Sequence, residues 1–278
     1  MKIAFIGDIV GRPAREIIRD NLLSFRDEYS IDYVVANYEN ASHGFGLTQK
    51  NMEELLSSGI DMMSGGNHSF DKKDIFPLFE KYPLIRPINY PKSAPGRGIY
   101  TTTINNHKVA IINLMGYHFM GAVVDNPFNI INDEVAKLQK NGVKHIIIDI
   151  HAETTAEKRT LLYMLKDKVS AIMGTHTHVG TDDLEIVDGC CYVTDVGLTG
   201  CIDNVLGMSI DVPIAKMTTG VGKHFDVPNE CKSILQMIIF ELDDNGRAIS
   251  SMKLKIFDDG KTILTNGLNF NSRKKEYN

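Results

Sequence analysis

The stretch Ala171-Ile172-Met173-Gly174-Thr175-His176-Thr177-His178 joins a short apolar run to two histidines one residue apart. On a helix, residues two apart diverge by about 200°, whereas in extended chain they leave from the same side. Ala171 to Met173 therefore reads as a buried strand that delivers His176 and His178 together at its carboxyl end. Each neutral imidazole offers one nitrogen lone pair, so the pair can hold one metal ion or two adjacent ones. Taken alone, such a pair is more simply two solvated side chains in a polar loop. What changes the reading is that the same arrangement recurs along the chain.

Lys2 to Gly7 is an apolar run that stops at Gly-Asp, and Arg12-Pro13 opens a helical pattern through Tyr29 with Ile17, Ile18, Leu22, Leu23 and Phe25 on its apolar face. Tyr33 to Ala36 ends in Asn37-Tyr38-Glu39-Asn40, and Thr48 is placed to cap a helix through Ser57. Ile60 to Met63 ends in Ser64-Gly65-Gly66-Asn67-His68, with a further helix expected over 71–81. Prolines then interrupt the chain before strands at Gly98–Ile104 and Val109–Leu114. The loop 116–126, with Tyr117, Phe119 and Met120 looking exposed, is a candidate cover for a site. A helix at 131–139, the strand His145–Ile150 ending at His151, and a helix at 155–166 lead back to the opening stretch. Hairpins follow at Leu184–Val187 with Tyr192–Thr194, and at Ile234–Leu242 with Ala248–Phe257, the region between them being Gly-rich and irregular. Repeated strand-loop-helix units with polar residues after each strand predict an α/β sandwich, ligands at the strand carboxyl ends, in one domain over 1–278.

Composition limits the function classes. The chain has 278 residues, 43% hydrophobic and 23% charged, with 30 basic and 35 acidic side chains giving a net charge of −5. That suits a globular protein with a large core and argues against a sequence-independent nucleic-acid binder. No apolar run approaches the roughly 18 residues of a membrane span, and the chain opens directly on a strand-like run rather than a signal peptide. The expectation is a cytoplasmic protein with no membrane partner. Cys190, Cys191, Cys201 and Cys231 form no C-x-x-C pair and are all expected as reduced, mostly buried thiols. Cys190 and Cys191 should face opposite sides of a strand. Arg273-Lys274-Lys275 reads as a solvated tail.

Five segments now offer ligand-type side chains directly after a strand: Asp8, Glu39-Asn40, Asn67-His68, His151, and His176 with His178. Each alone has an ordinary explanation: Asp8 as a helix cap, Glu39 as a solvated carboxylate, Asn67 as a turn residue, His151 as a hydrogen-bonded structural side chain. Together they form the mixed oxygen and nitrogen set suited to Mn, Fe, Zn or Mg. Two such ions about 3.5–4 Å apart can clamp the attacking and leaving oxygens of a phosphoryl displacement. Glu39 is the candidate bridge between them.

Gly7-Asp8, Gly66-Asn67-His68, His151 and Gly174-Thr175-His176-Thr177-His178 resemble, in order and spacing, the motifs of calcineurin-like metallophosphoesterases. The first motif departs from the usual Asp-x-His, having Asp8-Ile9-Val10, and the second has Tyr38-Glu39-Asn40 in place of a Gly-Asp context. With the Gly-Asp-Ile-Val-Gly-Arg-Pro opening at 7–13, these departures resemble the YmdB-like branch of bacterial phosphodiesterases, specifically to about residue 210 and more loosely beyond.

The resemblance implies a four-layer αββα sandwich and a dinuclear centre of iron or manganese. It also implies activity on phosphodiesters, notably 2′,3′-cyclic nucleotides, and a homo-oligomer. One metal would take Asp8, Glu39, Asn40 and His178, with Asn40 standing in for the ligand that Val10 cannot supply; the other would take Glu39, Asn67, His151 and His176. A hydroxide bridging the metals would attack phosphorus in line, and His68, the side chain type whose proton exchange falls nearest neutrality, would protonate the leaving oxygen. His43 and Thr177 are candidates to touch substrate phosphate, while His107, His118, His145 and His224 lack the strand-end context. A phosphomonoesterase or protein phosphatase with the same site is the alternative enzyme, and a nucleotide-sensing regulator with little turnover the alternative class.

Overall fold

Alternation along the strands builds three apolar layers at once. The computed structural model describes residues 1–222 and 224–270, so the basic tail at 273–275 lies outside the described residues. Strands β1 (Lys2–Asp8), β2 (Tyr33–Asn37) and β3 (Met62–Ser64) run parallel; helices α1 (Gly11–Glu28) and α2 (Gln49–Ser57) follow the first two. On β1, Ala4 and Ile6 pack outward with Ile18 and Leu22 of α1, and Ile3 and Phe5 pack inward. Strands apolar on both faces are what a covered parallel sheet requires.

The second half repeats the plan. After α3 (Leu78–Lys81) come β4 (Ile99–Ile104), β5 (His107–Met115), α4 (Pro127–Lys140), β6 (His145–His151), α5 (Thr155–Leu165) and β7 (Ala171–Thr175). Ile146 and Ile148 face Leu161 and Leu165 of α5, while Ile147 faces the first sheet. The chain continues through β8 (Glu185–Val187), β9 (Cys190–Val193), β10 (Gly200–Cys201), α6 (Asp211–Thr219), β11 (Ser233–Leu242), β12 (Ala248–Phe257), β13 (Thr262–Asn266) and β14 (Leu268–Phe270). One sheet runs β13-β12-β11-β1-β2-β3 with β10 on β11; the other runs β14-β8-β9-β7-β6-β5-β4. The result is helix, sheet, sheet, helix: the four-layer sandwich. Cys190 packs in the outer layer and Cys191 between the sheets, as their alternation requires.

The structure differs from the sequence reading in four places. The helix expected over 71–81 is a 3₁₀ turn at Lys73–Ile75 and the short α3, because Pro77 removes an amide donor and clashes with the preceding turn. Asn126 caps α4 and Pro127 occupies its first turn, starting that helix earlier than its apolar face suggests. The irregular region contains α6, which buries only Pro213 and therefore has little amphipathic signal. Met120, expected exposed, is 7% accessible, whereas Phe119 is 86% accessible.

The expectation of four reduced thiols is also corrected. Cys201 is bonded to Cys231, while Cys190 and Cys191 are free and buried. β10 pairs with β11 so that Cys201 opposes Ser233, which brings Cys231 within a Cα separation of 5.6 Å, inside the range a disulfide can span. The pairing comes from strand register across 30 residues of sequence, which no local motif records. Thiol titration of the unfolded protein should find two reactive thiols without reductant and four after reduction; four in both samples would refute the bond.

Candidate metal centre

The carboxyl ends of β1, β2, β3, β6 and β7 meet at one edge of the sandwich, and register sets their depth. Asp8 pairs with Asn37 and Asn37 with Ser64 in the first sheet, while Met115, His151 and Thr175 align in the second. At this edge the side chains of Glu39, Asn67, His151 and His176 converge. His151 Nε2 lies 3.0 Å from Glu39 Oε1, 3.0 Å from Asn67 Oδ1 and 3.1 Å from His176 Nδ1. Ligand atoms of Glu39, His151 and His176 all fall within 4.8 Å of one another. Beside them His178 Nε2 lies 3.2 Å from Asn40 Oδ1, and Asp8, fully buried, accepts the His176 amide at 3.1 Å.

The far nitrogen of each ring decides what its near nitrogen carries. His151 Nδ1 is 2.9 Å from Thr175 Oγ1, and that hydroxyl donates its own proton to Asp149 Oδ1 at 2.7 Å. Thr175 must therefore accept from Nδ1, leaving Nε2 of the neutral ring bare. His176 Nε2 faces Glu153 Oε2 at 3.1 Å, and His178 Nδ1 faces the Leu206 carbonyl at 2.8 Å, so both donate outward and are bare inward. Asn40 commits its amide nitrogen to the Gly44 carbonyl at 2.8 Å, which turns its oxygen toward His178. With the rings neutral, lone pairs thus face lone pairs across the cluster. A ring whose far N–H is held by an oxygen acceptor is the usual arrangement of a metal-binding histidine.

Electrostatics point the same way. Burial opposes charge on His151, but the Glu39 carboxylate beside it prevails and raises its pKa to about 9. Glu39 is held down at about 2, since His151 outweighs its own burial. Burial and the neighbouring His151 push His176 down to about 3, and burial pushes Asp8 upward. A field strong enough to draw a proton onto a buried imidazole is strong enough to favour a cation in its place. Gly66 makes the convergence possible, because a Cβ there would overlap Glu39 Oε2 and His151 Nε2.

Several residues outside the predicted set hold the site together. Asp149 Oδ2 accepts from Asn37 Nδ2 at 2.9 Å and Ser64 Oγ at 2.5 Å, joining the first sheet to the second beneath the cluster. Asp195 Oδ2 accepts from the Thr177 amide at 3.1 Å, the Thr177 hydroxyl at 2.8 Å and Lys158 Nζ at 2.9 Å. Thr177 is therefore committed to Asp195 rather than aimed at a phosphate. His176 and His178 have φ of 100° and 63°, so the chain is extended only to Thr175 and the same-side premise does not hold. The reversed backbone instead sends one ring to His151 and the other to Asn40. Asp195 stands two residues past β9 and Glu153 two past β6, so the strand-end rule that picked out Asp8 at the end of β1 would have found both; Asp149, inside β6, carries no such signal.

His68 stands beside the cluster, its amide 3.2 Å from Glu39 Oε2 and its Nδ1 2.8 Å from Asp71 Oδ2. Phe45 packs edge-on against its ring at 5.0 Å. His43 is exposed with a left-handed backbone, and His145 and His107 pack together far from the cluster, His145 bonded to the Asp243 carbonyl.

Metal-type ligands on the facing strand ends of a double-sheet α/β sandwich define the class as a calcineurin-like metallophosphoesterase. The model of the family described as YmdB-like protein matches residues 4–254, and the chain belongs to that family. It is 38% identical over 262 residues, 93% of this chain and 98% of the other, to the Bacillus subtilis protein named 2′,3′-cyclic-nucleotide 2′-phosphodiesterase. A solved structure of a novel phosphatase from Mycoplasma pneumoniae superposes with a TM-score of 0.87 at 33% identity, covering 92% of this chain and 93% of that one. A hypothetical protein from Thermus thermophilus superposes with a TM-score of 0.85 at 30% identity, covering 96% and 100%.

Two outcomes follow from this geometry. Gly66→Ala should fold yet lose most bound metal, read as metal content after gel filtration; full occupancy would show that Gly66 is not what lets the cluster close. Asp195→Ala strands the buried Lys158 charge and should cost about 3–5 kcal/mol in urea unfolding, with a wild-type midpoint counting against the pair as the support of Thr177.

Proposed function

We propose that the chain hydrolyses phosphodiesters, with 2′,3′-cyclic nucleotides as the substrate class, at a two-metal centre. The enzyme class is that of phosphoric diester hydrolases. One observation carries the metal reading: three imidazoles each have their far nitrogen held by an oxygen partner and turn the other into the cluster, His151 toward Glu39 and Asn67, His176 toward His151, and His178 toward Asn40. This donor set fits a metal pair. Glu39, Asn67, His151 and His176 would hold one ion, and Asp8, Glu39, Asn40 and His178 the other, with Glu39 shared. Fe or Mn comes with the family resemblance, and Zn or Mg suits the same donors.

When bound, the ions would lower the pKa of water and offset charge on the phosphoryl oxygens. The protein supplies the rest. Burial of the cluster keeps competing water from the carboxylates, and Thr175, Glu153 and the Leu206 carbonyl fix which nitrogen each ring presents. Asp71 takes one nitrogen of His68, so the other is free to give a proton to the leaving oxygen. Monoester hydrolysis remains the second reading, because the same clamp serves either ester.

A cytoplasmic homo-oligomer is part of the proposal. No helix among the described residues is long and apolar enough to cross a membrane. In a reducing compartment the Cys201–Cys231 bond would be contested by thiol reductants.

His68→Ala should lose about 10²–10⁴-fold in turnover while keeping its metals, and loss of metal together with activity would make His68 a supporting residue instead. Faster release of nitrophenol from bis-p-nitrophenyl phosphate than from the monoester supports the diesterase, and the reverse order favours the monoesterase. Chelation should abolish either rate, with recovery on adding Mn²⁺; steady turnover of thoroughly metal-stripped protein would refute the two-metal reading.

A further inference from the structure

An open cleft of about 750 Å³ begins at Asn67 and His68 and leads away from the metal-type cluster. Phe70, Phe76 and Tyr90 line it, and the 120–123 segment of the loop after β5 forms another wall. Phe70 packs against Tyr90 with ring centroids 5.1 Å apart and against Phe76 at 5.9 Å, so the rings brace one another. Phe76 is 39% and Val123 85% accessible, which leaves apolar surface open to an entering ligand. Nothing in phosphoryl transfer itself needs an aromatic wall beside the proton donor.

We propose that this cleft binds the nucleobase of a 2′,3′-cyclic nucleotide and thereby decides which ester bond breaks. The inference rests on the phosphodiesterase reading above. In such a substrate the base is attached to C1′, next to C2′ and remote from C3′. If O2′ faces His68, the base enters the cleft that starts at His68. If O3′ faced His68, the cleft would receive the polar hydroxymethyl group of C4′, for which an aromatic lining is poorly matched. The flat base suits it: the cleft is within the size range of small-molecule sites, and base–aromatic stacking is tolerant of base identity.

The bond changes follow from that placement. The oxygen of water bonds to phosphorus, the P–O2′ bond breaks with its electron pair remaining on O2′, and the proton of His68 passes to O2′. The proton released from water restores His68, and the product is a nucleoside 3′-phosphate. Phe70, Phe76 and Tyr90 are binding residues in this scheme.

The test compares 2′,3′-cyclic AMP with 1-O-methylribose 2′,3′-cyclic phosphate, which carries the same reacting ester and no base. Wild-type enzyme should prefer the nucleotide through KM and yield 3′-AMP. Phe76→Ala removes a stacking face, and Val123→Trp fills the cleft from an exposed position where folding is not at stake. Either should shrink the preference about tenfold, the size of one lost stacking contact, mainly in KM, and let 2′-AMP appear among the products. A wild-type enzyme that turns over both substrates equally, or variants that keep the full preference and the single product, would overturn the cleft assignment and leave the diesterase reading standing. Metal-loaded wild-type enzyme inactive on both substrates would overturn both.

Discussion

Asp149 lies in the middle of the second sheet, fully buried, and its charge has to be met by donors because water cannot reach it. Those donors come from both sheets: Asn37 and Ser64 from the first, Thr175 from the second. Burial still pushes its pKa up to about 6, so the interactions offset only part of the desolvation. The effect is positional. Thr175, fixed by Asp149, in turn fixes the face of His151, and Asn37 Oδ1 accepts the Glu39 amide at 3.0 Å. Two of the cluster's candidate ligands, His151 and Glu39, are thus oriented from one buried carboxylate underneath them.

The cluster above is destabilising on its own. A carboxylate, an amide oxygen and imidazole nitrogens are crowded within hydrogen-bond distance, with fewer protons than acceptors to share among them. Such a site lowers folding stability for the sake of chemistry, and the surrounding fold offsets the loss through three apolar layers and buried pairs such as Lys158 with Asp195. The left-handed backbone at His176 and His178 adds to the strain that has to be offset.

Much of this could be read from sequence because it depends on local period. Apolar runs ending in Gly-Asp, Gly-Gly-Asn-His or Gly-Thr-His mark strands and what stands at their ends, and the ligand-type residues named there do meet at one edge. Elements with weak local signal were harder: α6 buries a single residue, and Pro77 divides a helix whose apolar spacing looks continuous. Relations set by tertiary register were beyond reach. The Cys201–Cys231 bond, the outward partners of the three rings and the role of Asp149 all join residues far apart in the chain. The positive φ at His176 shows the limit well, since period-two logic placed the ring by a geometry the backbone does not adopt.

The last strands bear on this in a mechanical way. β13 is hydrogen-bonded to β12 in one sheet, and after Gly267 the same extended chain, as β14, is hydrogen-bonded to β8 in the other. A single ribbon is therefore stitched to both sheets along the margin. Sliding one sheet over the other would have to unzip one of those seams. The spacing of the candidate ligand groups contributed by opposite sheets is gauged in part by a stitch that carries no chemistry of its own.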